Sequence, residues 1–117
     1  MRIARAVARM SELDPAVGAV IYDGRMVSGF NWEHGDRIIH AEEMALRDFD
    51  FLPGMSWPAA VMAITMAPCI SCAQKIVESP VKTVLYHDDW WDKAGLDILK
   101  AKGVIACKIL RSRVNKA

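Results

Sequence analysis

The chain has 117 residues, of which 53% are hydrophobic and 25% are charged, and its formal net charge is +1. This length predicts one domain over residues 1–117, and the composition is that of a globular protein rather than a disordered segment. No apolar run approaches the roughly 18 residues of a membrane span, and the N-terminus lacks a secretory signal pattern. We therefore expect a cytoplasmic protein, and the near-neutral charge argues against a nucleic-acid-binding surface.

The first part of the chain predicts a helix followed by a β-hairpin. Residues 2–11 have polar and apolar side chains on opposite helical faces. Two strands, residues 17–22 and 25–30, flank Asp23-Gly24, which is a strong signal for a tight antiparallel turn. The remaining predicted elements are a polar loop at residues 31–37, helices at 39–48, 69–78 and 91–101, and strands at 60–66, 81–86 and 104–110.

The order of these elements predicts the fold class. After the hairpin, strands alternate with helices, which indicates parallel neighbouring strands joined by right-handed crossovers. We expect an α/β fold, a three-layer α/β/α sandwich. Its five-stranded mixed sheet should carry helices on both faces.

Two short segments contain residues suited to metal chemistry: His40 with Glu42, and Cys69 with Cys72. The two cysteines are three residues apart at a predicted helix start, so their sulfurs share one face of the first turn. We expect the positive end of that helix to lower the pKa of the thiols and favour thiolates. With the imidazole of His40, the two sulfurs form a donor set that suits zinc.

Three protein ligands leave one tetrahedral position open. An open position is typical of a catalytic zinc site, because water binds there and becomes acidic near neutral pH. Glu42 lies two residues from His40, and we expect it to carry the proton of the water to a substrate. Burial should tune the pKa of Glu42 upward.

Two other interpretations also fit the cysteine pair. Cysteines separated by two residues occur as a redox motif in thioredoxin-like proteins. A structural zinc site would need a fourth ligand, for which the candidates are Cys107, His34 and His87. Cys107 follows an apolar run and is expected to be a small buried side chain.

A larger pattern connects these residues. Histidine-x-glutamate followed by proline-cysteine-x-x-cysteine is the signature of zinc nucleobase deaminases, and it occurs here at His40, Glu42, Pro68, Cys69 and Cys72. Over nearly its whole length the chain resembles the cytidine and deoxycytidylate deaminase superfamily, and its predicted element order is similar. The resemblance implies that water attacks the amino-bearing ring carbon, while Glu42 protonates the neighbouring ring nitrogen and then the departing ammonia.

The resemblance also implies contacts with the substrate. Asn31 matches an asparagine that contacts the sugar or base in relatives. The backbone N–H of Ala41 would face the base, and a carbonyl of Pro68 or Ala67 would face the leaving amino group. Arg37, in the predicted polar loop, is our candidate for binding the substrate phosphate. Because relatives often complete the pocket with a neighbouring subunit, we expect a homo-oligomer.

Residues 67–73, 17–20 and 29–31 are similar to deoxycytidylate deaminases. The leading hypothesis is therefore conversion of deoxycytidylate (dCMP) to deoxyuridylate (dUMP), and the near-neutral charge favours such a mononucleotide. Met44 stands where those enzymes commonly carry asparagine, and the residues around it look like tRNA adenosine deaminases. The alternatives are tRNA adenosine deamination, a nucleoside or free-base deaminase, and a zinc-stabilised interaction module without activity.

Trp90 and Trp91 are candidates either for the pocket edge or for core packing.

Overall fold

A computed structural model of the chain describes residues 1–50 and 59–110, which contain four helices and seven strands. The helices are α1 (Arg2–Ala8), α2 (Ala41–Asp50), α3 (Ile70–Val77) and α4 (Ala94–Ala101). The strands are β1 (Gly18–Tyr22), β2 (Met26–Phe30), β3 (Trp32–His34), β4 (Arg37–Ile39), β5 (Ala60–Met66), β6 (Val81–Asp88) and β7 (Ile105–Lys108).

Five strands form the central sheet in the order β2-β1-β5-β6-β7. Strand β1 is antiparallel to β2 and β5, whereas β5, β6 and β7 run parallel to one another. The predicted turn between β1 and β2 contains Gly24 at a φ of 97°, a conformation that glycine adopts at little cost. Because β5 and β6 are parallel, the segments that follow them leave the sheet at the same edge, where α/β proteins bind ligands.

The helices cover both faces of this sheet. Gly18 and Ala19 are adjacent on β1 and so point to opposite faces. A Cβ on Gly18 would lie 2.1 Å from the carbonyl oxygen of Ala4, so α1 packs directly on one face. Ala19 belongs to the core that includes Ala41 and Ala45 of α2 on the other face. The predicted three-layer α/β/α sandwich with a five-stranded mixed sheet is confirmed.

The main core lies between the sheet and helices α2, α3 and α4. It holds alternate residues of β1 and β5 together with the inner faces of these helices. Its largest fully buried aliphatic and methionine side chains are Ile21, Met62, Ile64, Ile76, Val81, Val84 and Leu99. Nowhere in residues 1–50 or 59–110 is a helix long and apolar enough to cross a membrane.

The predicted polar loop at residues 31–37 is wrong. Strands β3 and β4 form a small antiparallel hairpin there, in which Trp32 pairs with Ile39. Gly35, with a φ of 63°, lies between the two strands and permits the reversal. Strands of three residues are too short to produce a readable alternation of polar and apolar positions, which is why the sequence pattern did not reveal them.

Several predicted helix ends were also misplaced. The first helix ends at Ala8 rather than at residue 11, and α2 starts at Ala41 because Ile39 completes β4. Helix α4 starts at Ala94 rather than at residue 91. There the Oδ1 atom of Asp92 accepts a hydrogen bond of 2.9 Å from the Ala94 N–H, which satisfies a donor at the helix start.

Candidate metal centre and active site

The histidine and the two cysteines of the deaminase signature lie at the starts of two helices. His40 directly precedes α2, and its carbonyl accepts the N–H of Met44 at 3.1 Å. Cys69 is the N-terminal cap residue of α3, and its carbonyl accepts the N–H of Ala73 at 2.9 Å. Cys72 follows in the first turn. The two helix starts therefore present these three side chains to one another.

The three donor atoms have the spacing of a tetrahedral zinc site. Nδ1 of His40 lies 3.6 Å from Sγ of Cys69 and 3.3 Å from Sγ of Cys72, and all three donors lie within 4.8 Å of one another. Tetrahedral zinc with the usual Zn–S and Zn–N distances separates such donors by about 3.6 Å. The residue types and the two distances to His40 therefore fit a zinc ion.

Among the described residues, no fourth histidine, cysteine or carboxylate lies close enough to these three donors to complete a metal site. His34 is exposed on the β3–β4 hairpin, and Nδ1 of His87 lies 2.5 Å from the carbonyl oxygen of Ile109. Cys107 is exposed on β7, so the prediction that it is buried is wrong. The reason is that β7 is an edge strand, in which three of the four residues are exposed. Within this part of the chain, the donor set leaves one tetrahedral position for a non-protein ligand.

The Cys72 thiol is buried, with 2% of its surface exposed. Burial, followed by the negative charges of Glu42 and Cys69, raises the pKa of this thiol above its ordinary value. The predicted lowering of the thiol pKa is therefore wrong for Cys72, because burial raises it. A buried thiol of this kind becomes a thiolate when a bound cation replaces its proton, which also fits a metal site.

Glu42 lies in the first turn of α2 and is only 4% exposed. Burial raises the pKa of its carboxyl group to about 7, against the opposing effect of hydrogen bonds from its own backbone N–H and from the Cys72 thiol. This direction was predicted from the sequence and is confirmed. A carboxyl group with a pKa near 7 can both accept and release a proton at neutral pH.

These residues open onto a cavity of about 220 Å³, which His40, Glu42 and Cys69 line. Its other walls come from the segment before β1, the hairpin, the end of β5 and the segment after β6: Leu13, Asp14, Pro15, Val17, Asn31, Ile38, Met66, Ala67 and Trp90. Most of these positions lie outside the signature, so the motif did not identify them. Trp90 lines the cavity, as expected if it forms the pocket edge. Trp91, in contrast, is 83% exposed.

Asn31 lines the cavity and also holds one of its walls in place. Its Oδ1 atom accepts the N–H of Val17 at 2.8 Å, and its Nδ2 atom donates to the carbonyl of Pro15 at 2.9 Å. Its own carbonyl accepts the Ser11 hydroxyl at 2.7 Å. One Nδ2 hydrogen remains beyond these bonds. Asn31 therefore fixes the segment before β1 and can still donate to a substrate.

Arg37 does not line the cavity. It lies on β4 and forms an ion pair with Glu43. The Glu43 carboxylate also lies 3.5 Å from Nζ of Lys75 on α3 and accepts the His40 N–H at 3.4 Å. Glu43 therefore links the start of α2 to the last turn of α3, the two helices that carry the donor side chains. Its position three residues after His40 is the spacing of a capping box, which is the sequence signal for this role.

The backbone around the donors is closely packed. Ala41 is fully buried, and Pro68 is also among the fully buried residues. On α4, a Cβ added to Gly95 would lie 2.1 Å from the carbonyl oxygen of Pro68 and 3.0 Å from Cys69 backbone atoms. Helix α4 thus packs directly on the peptide that precedes the cysteine pair. The predicted substrate contacts of Ala41 and Pro68 stay predictions.

A buried carboxyl group beside three donors that fit zinc is the arrangement of a metal-dependent hydrolytic site. Residues 1–88 match the family described as the cytidine and deoxycytidylate deaminase zinc-binding region. The chain therefore belongs to this family. The match includes both parts of the signature and extends to the end of β6.

Individual relatives agree with this assignment. The deoxycytidylate deaminase of enterobacteria phage T4 is 32% identical over 84 residues, which cover 67% of this chain and 41% of the relative. The chain thus spans about two fifths of that relative. The dCMP deaminase of cyanophage S-TIM5, solved in complex with dCMP and dUMP, is 23% identical with a TM-score of 0.82, covering 92% of both chains. A Thermotoga maritima diaminohydroxyphosphoribosylaminopyrimidine deaminase and reductase is 27% identical with a TM-score of 0.75, covering 92% of this chain and 34% of that one.

Proposed function

We propose that this chain is a zinc-dependent hydrolytic deaminase that converts dCMP to dUMP, with water as co-substrate and ammonia as the second product. The observation that carries the proposal is the buried Glu42 carboxyl group in a cavity that His40 and Cys69 also line. The relatives named as dCMP deaminases support the choice of substrate.

The donor set and the carboxyl group have separate tasks in this reaction. His40, Cys69 and Cys72 would hold the zinc ion, which supplies the Lewis acidity that makes water a nucleophile at neutral pH. Glu42 accepts a proton from the attacking water, whose oxygen bonds to the amino-bearing ring carbon, and delivers this proton to the neighbouring ring nitrogen. It then transfers the second proton of the water to the departing amino group, which leaves as ammonia. A pKa of about 7 suits both directions of transfer.

Other residues orient the base. The backbone N–H of Ala41 at the start of α2 and a carbonyl of Pro68 or Ala67 are proposed to bind the polar edge of the base. The remaining Nδ2 hydrogen of Asn31 donates a hydrogen bond to the sugar in this proposal. Trp90 contributes an aromatic wall, which favours a planar ring in the cavity. We also propose that the protein forms a homo-oligomer and acts in the cytoplasm on free nucleotides.

One observation favours a second candidate, deamination of the unphosphorylated deoxycytidine. Among the residues that the structure describes, neither lysine nor arginine lines the cavity, whereas the carboxyl groups of Asp14 and Glu42 do. Such walls accept an uncharged nucleoside more readily than a phosphate.

Ammonia release from a panel of dCMP, deoxycytidine, cytosine and tRNA, measured with zinc-loaded protein, tests the proposal. We expect dCMP to be turned over with the highest kcat/KM and tRNA not to be turned over. Turnover of tRNA without turnover of dCMP would replace this function with tRNA adenosine deamination. Failure of every substrate would favour an interaction module without activity.

Glu42→Gln separates the proton carrier from the metal site. The variant should retain zinc and lose activity by roughly a hundredfold or more, because a glutamine amide cannot accept and release a proton at neutral pH. Glu43→Gln is the matched control, since it removes a neighbouring carboxylate that does not line the cavity. Full activity in Glu42→Gln would show that this residue is misassigned.

A further inference from the structure

A nucleotide substrate needs a cationic site for its phosphate, and the cavity walls do not supply one in the described residues. The sequence-based candidate, Arg37, lies off the cavity wall and is already paired with Glu43. If the proposed function holds, the phosphate must therefore be bound by a group beyond these walls. This question rests on the proposed function and deepens it.

A second depression adjoins the cavity. It has a volume of about 240 Å³ and shares Pro15 and Met66 with the cavity, so these two residues form the boundary between them. Arg5 and Arg9 line this depression, together with Asp88. Its lining residues therefore include two arginines and one aspartate.

The two arginines are held by a rigid part of the fold. They are four residues apart at the end of α1, so their side chains lie on the same side of the helix. The adjacent positions Ala4 and Ala8 are buried and pack directly on Gly18 of β1. Helix α1 cannot shift relative to the sheet without losing this packing, so the backbone that carries the two arginines is held in place.

Neither arginine is used elsewhere in the part of the chain that the structure describes. All ion pairs there involve other basic residues. Arg5 is half-buried and Arg9 is exposed, which leaves their donors accessible from the depression. A guanidinium group can bind phosphate oxygens through two parallel hydrogen bonds, and a pair of them suits a dianion.

We propose that Arg5 and Arg9 form the binding site for the 5′-phosphate of the substrate. The base then lies at Glu42 and the sugar passes Pro15 and Met66, which border both depressions. This arrangement makes α1 the element that distinguishes a nucleotide from a nucleoside. It also explains how a cavity with acidic walls can serve a phosphorylated substrate.

A purely structural role for the arginines makes a different prediction. Basic residues at the end of α1 stabilise the helix through its dipole, and their loss would lower the melting temperature without changing the choice of substrate. Arg2 provides a matched control, because it lies on the same helix but lines a different depression with Tyr22 and Met26.

The test compares Arg5→Met, Arg9→Met, the double variant and Arg2→Met, all zinc-loaded, with dCMP and deoxycytidine as substrates. We expect the double variant to lose roughly ten- to a hundredfold in kcat/KM for dCMP, the effect of losing charged hydrogen bonds. Activity toward deoxycytidine should stay within about twofold, and Arg2→Met should change neither value. Equal losses for both substrates, or an unchanged ratio, would overturn the phosphate site.

Calorimetry with the product pair dUMP and deoxyuridine gives the same comparison without turnover. The double variant should bind dUMP more weakly and deoxyuridine as before; unchanged dUMP binding would overturn the site. A wild-type protein that binds dUMP through the arginines but deaminates no substrate would instead contradict the proposed function. The two failures are therefore distinguishable.

Discussion

Replacing Glu42 with glutamine should stabilise the metal-free protein while abolishing its activity. The pKa of this buried carboxyl group is about 7 in the folded chain, against an ordinary value of 4.5. The unfolded chain therefore releases the proton at a lower pH than the folded chain does. Below about pH 4 both states are protonated and the group has no effect on stability. As the pH rises from about 4.5 to about 7, the free energy of unfolding decreases, and above about pH 7 it decreases no further on account of this group.

The expected size of this loss follows from the two pKa values. The difference between 4.5 and about 7 corresponds to about 3 kcal/mol at 25 °C. Glutamine has a similar shape and does not ionise. The free energy of unfolding of Glu42→Gln minus that of wild type should thus increase by about 3 kcal/mol as the pH rises from 4 to 8.

Urea unfolding of chelator-treated protein, followed by circular dichroism from pH 4 to pH 8, measures this difference. Glu43→Gln is the control of opposite sign. Burial opposes the ionisation of Glu43, but hydrogen bonds from Arg37 and the His40 N–H, with the charge of Lys75, outweigh it and hold the pKa below its ordinary value. Glu43→Gln should therefore be less stable than wild type at neutral pH. A difference in stability between Glu42→Gln and wild type that is constant with pH would contradict the raised pKa of Glu42.

Three further substitutions test the packing around the site. Gly95→Ala places a Cβ 2.1 Å from the carbonyl oxygen of Pro68, so it should cost about 1–3 kcal/mol and speed zinc loss to a chelator. Leu99→Ala removes a fully buried side chain and should lower the free energy of unfolding by about 2–5 kcal/mol in urea titrations. Asn31→Ala removes both side-chain hydrogen bonds to the segment before β1, so it should cost about 1–3 kcal/mol and raise KM. Unchanged unfolding curves would contradict each estimate.

The sheet could be predicted from the sequence because most of its strands are long enough to show a recognisable pattern of apolar residues. The apolar run of β1, the Asp23-Gly24 turn and the alternation of strands with helices together specify the mixed five-stranded sheet. The β3–β4 hairpin was missed since it has only three residues in each strand. The exposure of Cys107 was missed because an apolar neighbourhood in sequence does not reveal that β7 is an edge strand.

The site was predictable where chemistry constrains spacing and was not predictable where the walls come from distant segments. The donor set and Glu42 follow from residue types at short separations, and the structure brings all of them together. The ion pair of Arg37 with Glu43 depends on how the hairpin meets α2, which no local pattern specifies. Likewise, only the packing of α1 on β1 places Arg5 beside the cavity.

Zinc K-edge X-ray absorption on freshly purified, active protein determines whether zinc occupies this donor set. We expect one zinc per chain, with two sulfur neighbours at about 2.3 Å and two nitrogen or oxygen neighbours at about 2.0 Å. These are the sulfurs of Cys69 and Cys72, the nitrogen of His40 and one solvent oxygen. Active protein without zinc, or a shell with a third sulfur, would contradict this expectation.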